Sequence, residues 1–150
     1  MISVQIAMKL KRIVRNNIDD IIEPRHIYLY KIPEDVDRLK TLPFIRINHI
    51  TSSATTHSSD NINMTRERFQ VQYFYDDEEE SDIESRISEL DNILRQNGFY
   101  FSTGYDSFDP DLEGVITVTR QYNYRNNLIK ENKIYVSEHR KLLNRKTKIL

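Results

Sequence analysis

The sequence contains no cysteine. Disulfides, thiolate catalysis and zinc-ribbon sites are therefore excluded. Glycine is nearly absent too: Gly98, Gly104 and Gly114 are the only three, so no phosphate-cradling loop of the P-loop or dinucleotide kind can be built. No stretch approaches the roughly 18 uncharged apolar residues of a membrane span. Met1–Leu10 begins apolar, but Lys9, Lys11, Arg12 and Arg15 interrupt it before a signal-peptide core could form. The chain is accordingly expected to stay in the cytoplasm of the cell that makes it. Net charge is small: 22 Lys and Arg against 23 Asp and Glu leave -1. That balance argues against a protein that coats DNA or an anionic membrane.

What is present is the length of one ordinary domain, 150 residues, at roughly 150 residues per domain. A chain of this size buries about 68–70 % of its unfolded surface, enough for a core without metal or disulfide staples. Ile2, Ile6, Leu10, Ile13 and Val14 recur at helical steps and predict an amphipathic first helix with a basic outer face. Pro24 closes this region. Ile27–Ile32, β-branched and aromatic between Pro24 and Pro33, predicts a strand packed on both faces. Glu34–Leu42 reads as a polar connection with room for one helical turn, and Phe44–Ile50 as a second strand entered through Pro43.

Thr51–Met64 is compositionally unusual. Nine of its fourteen residues are Ser, Thr or Asn and none is Gly or Pro. A tight hairpin favours Asn-Gly or a similar pair, so a long excursion between two strands is expected. It suits either a mobile surface loop or an arm that orders against a neighbouring subunit. Thr65–Asp76 follows as a strand, with Phe69, Val71, Tyr73 and Tyr75 alternating against Gln70, Gln72 and Phe74. Ser81 and Glu84 form a capping-box pattern for a second helix lined by Ile83, Ile87, Leu90 and Leu94 and stopped at Asn97-Gly98. Phe99–Thr103 and Val115–Tyr124 read as strands, separated by an Asp-rich turn over Tyr105–Gly114. The order of elements predicts a single α+β domain over residues 1–127. Its mostly antiparallel or mixed sheet has about five strands, with two main helices on one face. Residues 128–150 form a basic C-terminal extension, to be read as helix or arm: seven Lys and Arg against Glu131 and Glu138 give a net of +5.

Little of this carries catalytic chemistry. None of His26, His49, His57 and His139 sits beside a nucleophile elbow. His49 and His57 are eight apart across the polar excursion, not at the i, i+4 spacing of a helical metal pair. Asp106, Asp109, Asp111 and Glu113 miss the calcium-loop spacing and read as a turn with solvated acids. No catalytic residue, metal site or cofactor is expected, and the protein is not expected to be an enzyme.

Charge segregation is the stronger signal. Asp76–Asp91 holds nine acids and one base, Arg86, a net of -8. The C-terminal stretch is +5 and the first helix +4. Such patches either neutralise each other within the chain or join subunits head to tail.

The strand Ile27–Ile32 followed by Leu42-Pro43-Phe44-Ile45-Arg46-Ile47 resembles the small tail-component proteins of bacteriophages with long non-contractile tails. So does Val71-Gln72-Tyr73-Phe74-Tyr75 before an acidic helix start, with Ile87, Leu90, Leu94 and Gly98-Phe99 after it. The Asp109-Pro110-Asp111 turn and the strand ending Arg120-Gln121-Tyr122 complete a likeness that spans residues 1–125 and rests on pattern and order. The resemblance implies a virion structural protein, a tail terminator or tail completion protein. Such proteins have an α+β fold without catalytic residues. They form a ring, expected here to have six subunits, on the head-proximal end of the tail tube, stop tube growth and allow head joining. The implied partners are further copies of the chain, the major tail tube protein and the head–tail connector, with no membrane and no specific nucleic-acid recognition. The implied location is the virion tail, reached from the host cytoplasm.

The expected assembly interface takes Thr55, His57, Ser58 and Asp60 from the polar excursion, and Asp77, Glu78, Glu79 and Glu80 from the acidic helix start. Arg140, Lys141 and Arg145 join it on charge alone, since the basic extension lies outside the matched region. A head–tail connector or neck protein is the alternative within the same particle. A small nucleic-acid-binding accessory protein that uses the basic C-terminal tail is the alternative outside it.

Overall fold

The computed structural model describes residues 2–58 and 61–126. It is an α+β fold in two layers: a five-stranded mixed sheet with both long helices on one face. The elements are α1 (Ile2–Ile18), β1 (Ile27–Leu29), α2 (Arg38–Thr41), β2 (Phe44–Ser58), β3 (Asn61–Asp76), α3 (Glu80–Gln96), β4 (Phe99–Phe108) and β5 (Val115–Asn126). The sheet runs β1-β2-β3-β5-β4. β1 is parallel to β2, and every other pairing is antiparallel.

Register explains the core. Ile45, Tyr73 and Val118 lie across from one another on β2, β3 and β5, as do Ile47, Val71 and Arg120. Alternation then puts Phe69, Val71, Tyr73 and Tyr75 beneath the helices. There they meet Leu10, Val14 and Ile18 of α1 and Ile83, Ile87, Leu90 and Leu94 of α3 in one buried cluster. Phe99 lies tilted against Tyr124 at 4.6 Å and meets Phe69 edge-on at 6.1 Å. A smaller cluster lies on the opposite face: Phe44 stacks on Phe74 at 4.5 Å, together with Ile32 and Val115.

Beyond their shared core, Arg86 ties the helices to each other. Arg86 of α3 donates to the Asn17 carbonyl at the end of α1 (2.9 Å) and to both carboxylate oxygens of Asp20 (2.5 and 2.8 Å). A guanidinium there satisfies a terminal helix carbonyl and favours the negative end of the dipole.

The structure corrects several boundaries. The Thr51–Met64 excursion is not a loop: β2 continues to Ser58 and β3 begins at Asn61, paired Ser58 to Asn61. Thr and Ser fit a strand where no glycine interrupts them. The first strand is shorter than Ile27–Ile32. It ends at Leu29, where Tyr30 takes a φ of 69° and the chain leaves the sheet. The capping box at Ser81 does not start the second helix. A 3-10 turn at Asp77–Glu79 leads into α3 from Glu80, and Asp76 Oδ1 accepts the Glu78 N–H at 3.2 Å instead. The Asp-rich turn does not begin at Tyr105, because β4 pairs with β5 as far as Phe108. β5 runs two residues beyond Tyr124. Gly98 ends α3 as expected, at a φ of +90°. The extension 128–150 lies outside the described residues.

Candidate functional site

Among the described residues no group of three or more His, Asp or Glu side chains gathers as a metal site. His49, considered above with His57, points to a different partner: its Nε2 lies 2.7 Å from Oε2 of Glu67, a buried carboxylate on the neighbouring strand. Its ring tilts against Phe69 at 5.1 Å. Asp109 is used locally, its Oδ1 accepting the N–H groups of Asp111 (2.8 Å) and Leu112 (3.1 Å) to close the β4–β5 turn. Among the described residues no helix is long and apolar enough to cross a membrane.

A buried polar network joins α3 to the sheet. Tyr122 donates to Asp91 Oδ1 at 2.5 Å, and Arg120 pairs with Asp91 Oδ2. The Arg120 guanidinium lies 3.9 Å over the Phe101 ring. Burial, reinforced by the Asp91 charge, pushes the phenols of Tyr73 and Tyr122 far above their ordinary range. Its groups are held in mutual contacts, so the network clamps the helix layer to the sheet.

The features that face outward are of four kinds. The first is the β2–β3 ribbon. β5 accompanies β3 only from Thr65 to Asp76, so the pairs Thr56 to Met64, His57 to Ile62 and Ser58 to Asn61 form a two-stranded extension among the described residues. Sixteen residues of β3 at about 3.3 Å each span roughly 50 Å. A compact chain of this size has a radius of gyration of about 15 Å, a body under about 40 Å across. Twelve of those sixteen residues, Thr65–Asp76, lie within the body beside β5, and Asn61–Met64 carry the ribbon about 13 Å past the described end of β5. Register shifts between His49 and Thr51, Ala54 and Thr56, and Thr56 and His57 bend it along its length.

The second is the acidic turn at the other end of β3. Asp77 and Glu78 are exposed, and a hydrogen bond with Asp76, helped by the Asp76 and Glu78 charges, raises the Asp77 carboxyl above its ordinary value. The third is the edge strand β4, where Phe101, Tyr105 and Phe108 are 47, 58 and 68 % exposed. The fourth is the sheet face away from the helices. Arg46 donates to Gln72 through Nε (3.1 Å) and Nη2 (2.5 Å), and Gln72 donates to Thr119 (3.4 Å). Gln121 donates to Gln70 (3.1 Å) and Arg68 to Asn123 (3.2 Å). Arg125 lies 5.5 Å from the Tyr100 ring centroid.

The sequence-predicted interface is thus divided. Thr55, His57 and Ser58 lie on the ribbon in β2. Asp77, Glu78 and Glu79 form the turn, and Glu80 opens α3, at the opposite end of β3. The two groups are separated by the length of a strand and do not make one site. Asp60, Arg140, Lys141 and Arg145 lie outside the described residues. The open face and the aromatic edge were not anticipated. Their signal was the polar phase of the strands, Arg46 and Asn48 in one and Arg68, Gln70 and Gln72 in the next, which a search for the core phase passes over.

No family model matches this chain, and no curated protein matches it.

Proposed function

We propose that the protein is a phage tail terminator or completion protein, a ring of about six copies that caps the head-proximal end of a tail tube. The observation that carries this reading is the β2–β3 ribbon, which continues past the last described pairing of β3 with β5. A two-stranded ribbon is at best marginally stable alone in water. The segment 51–64 offers only Ala54, Ile62 and Met64, besides polar residues, to bury. Such an arm gains its stability by lying against a neighbour.

The edge strand β4 supports the same reading. A ten-residue sheet edge carrying three exposed aromatic rings is a surface that proteins cover or pair. The mechanism is steric: copies join side to side through arms and edges, and the closed ring ends growth because its outer face offers no site for another tube subunit. Light scattering behind a sizing column tests the ring. Six times 18.0 kDa predicts about 108 kDa, while a closed dimer of about 36 kDa contradicts it. Removal of the ribbon from Thr51 to Met64, with a two-residue turn in its place, is expected to leave the fold intact and abolish the ring.

A further inference from the structure

We infer that the open sheet face is the socket for the acidic turn Asp77–Asp82 of a second copy. This inference rests on the ring reading and assigns its contact. The face is one-signed. Alternation gives it Arg46, Arg68 and Arg125, and among the described residues the only carboxylate it receives from the strands is Asp76 at the far end of β3, which caps the Glu78 N–H. The arginines there differ from those on the helix side. Arg86 and Arg120 pair with Asp20 and Asp91. Arg46 and Arg68 instead lie along the sheet against the amides of Gln72 and Asn123. No carboxylate pairs with Arg46, Arg68 or Arg125 among the described residues. Burial, with the further positive charge of Arg38 nearby, makes the Arg46 proton easier to lose than usual.

The occupant must therefore be anionic. Residues 128–150, at +5, have the wrong sign, whereas Asp76–Asp91 is -8 with Asp77, Glu78 and Asp82 exposed. The acidic turn follows Asp76 at one end of β3 and leads into the helix layer, whereas Arg68 and Arg125 lie toward the other end of the open face. One copy can thus offer its turn to the next while receiving another in its socket. Complementary patches at separate places on one copy give head-to-tail contacts, which form a ring when the rotation closes.

Charge swapping between two variants of the full chain tests this. One carries Arg46→Glu and Arg68→Glu, or Arg125→Glu alone should the pair fail to fold. The other carries Asp77→Lys, Glu78→Lys and Asp82→Lys. Circular dichroism checks folding, and sedimentation velocity reads assembly at low and high salt. Each variant alone is expected to assemble at least about tenfold more weakly than wild type. Their equimolar mixture is expected to regain assembly, because each reversed face then meets a reversed partner. If wild type assembles and both variants assemble equally well, the socket is wrong while the ring reading stands. A wild type that stays monomeric yet restores normal tail length to a deletion phage overturns the socket and leaves the terminator reading untouched. Salt-sensitive binding of oligothymidine that Arg68→Glu abolishes, in a chain that does not self-associate, makes the face a nucleic-acid platform and overturns the proposal.

Discussion

Tyr122 donates its hydroxyl proton to Asp91 Oδ1 at 2.5 Å, from a sheet residue to a helix residue 31 positions earlier in the chain. Arg120 holds the other carboxylate oxygen, so Asp91 is fully engaged between the two. The Tyr73 hydroxyl, buried in the same layer, has no hydrogen-bond partner among the described residues. Two phenols one strand apart therefore have opposite consequences.

Tyr122→Phe removes a hydrogen bond to a charged acceptor and is expected to cost about 1.5–3 kcal/mol. Tyr73→Phe removes only an unsatisfied buried hydroxyl and is expected to be neutral or slightly stabilising. Urea titration of both variants checks the contrast.

Alkaline pH should act through the same pair. Both phenols are raised in the folded protein, chiefly by burial. Their contribution to stability is complete below the unfolded tyrosine value of about 10 and declines as pH rises beyond it. Thermal melts from pH 8 upward should show little change until about pH 10 and then a steep loss, shallower in Tyr73→Phe.

The acid limb belongs in part to Asp20. Its hydrogen bonds from Arg86 hold its carboxyl below the ordinary value. The contribution is present above the unfolded aspartate value of about 3.9 and disappears as pH falls through the lower folded value. Asp20→Asn is expected to lower the melting temperature at pH 7 and to make no difference near pH 2. Equal losses at both pH values would assign the effect to something other than charge.

Gly98→Ala should destabilise twice over. The position has a φ of +90°, and a Cβ there would lie 3.0 Å from Cε2 of Tyr124. A cost of about 1–3 kcal/mol is expected, with denaturant titration as the check.

Much of the architecture was legible because its signals are local. The apolar steps of Ile83, Ile87, Leu90 and Leu94 and the stop at Gly98 specify α3, and the period-two run from Phe69 to Tyr75 specifies β3. The ribbon was not legible in the same way. Strand pairing can carry Ser and Thr where neither a core phase nor a glycine turn announces it, and Ser58 to Asn61 closes without Asn-Gly. The second helix begins at Glu80, ahead of the Ser81 capping pattern, because a 3-10 turn whose Glu78 N–H is held by Asp76 leads straight into it. The open-face arginines became a group only once β2, β3 and β5 were set side by side, since Arg46, Arg68 and Arg125 are far apart in the chain.

Tail length in a phage that lacks this protein tests the central claim most directly. Electron micrographs of the lysate are expected to show tubes that run well beyond the normal length and carry no heads. Detached tails of uniform, normal length would contradict a terminator, because growth would then have stopped without it.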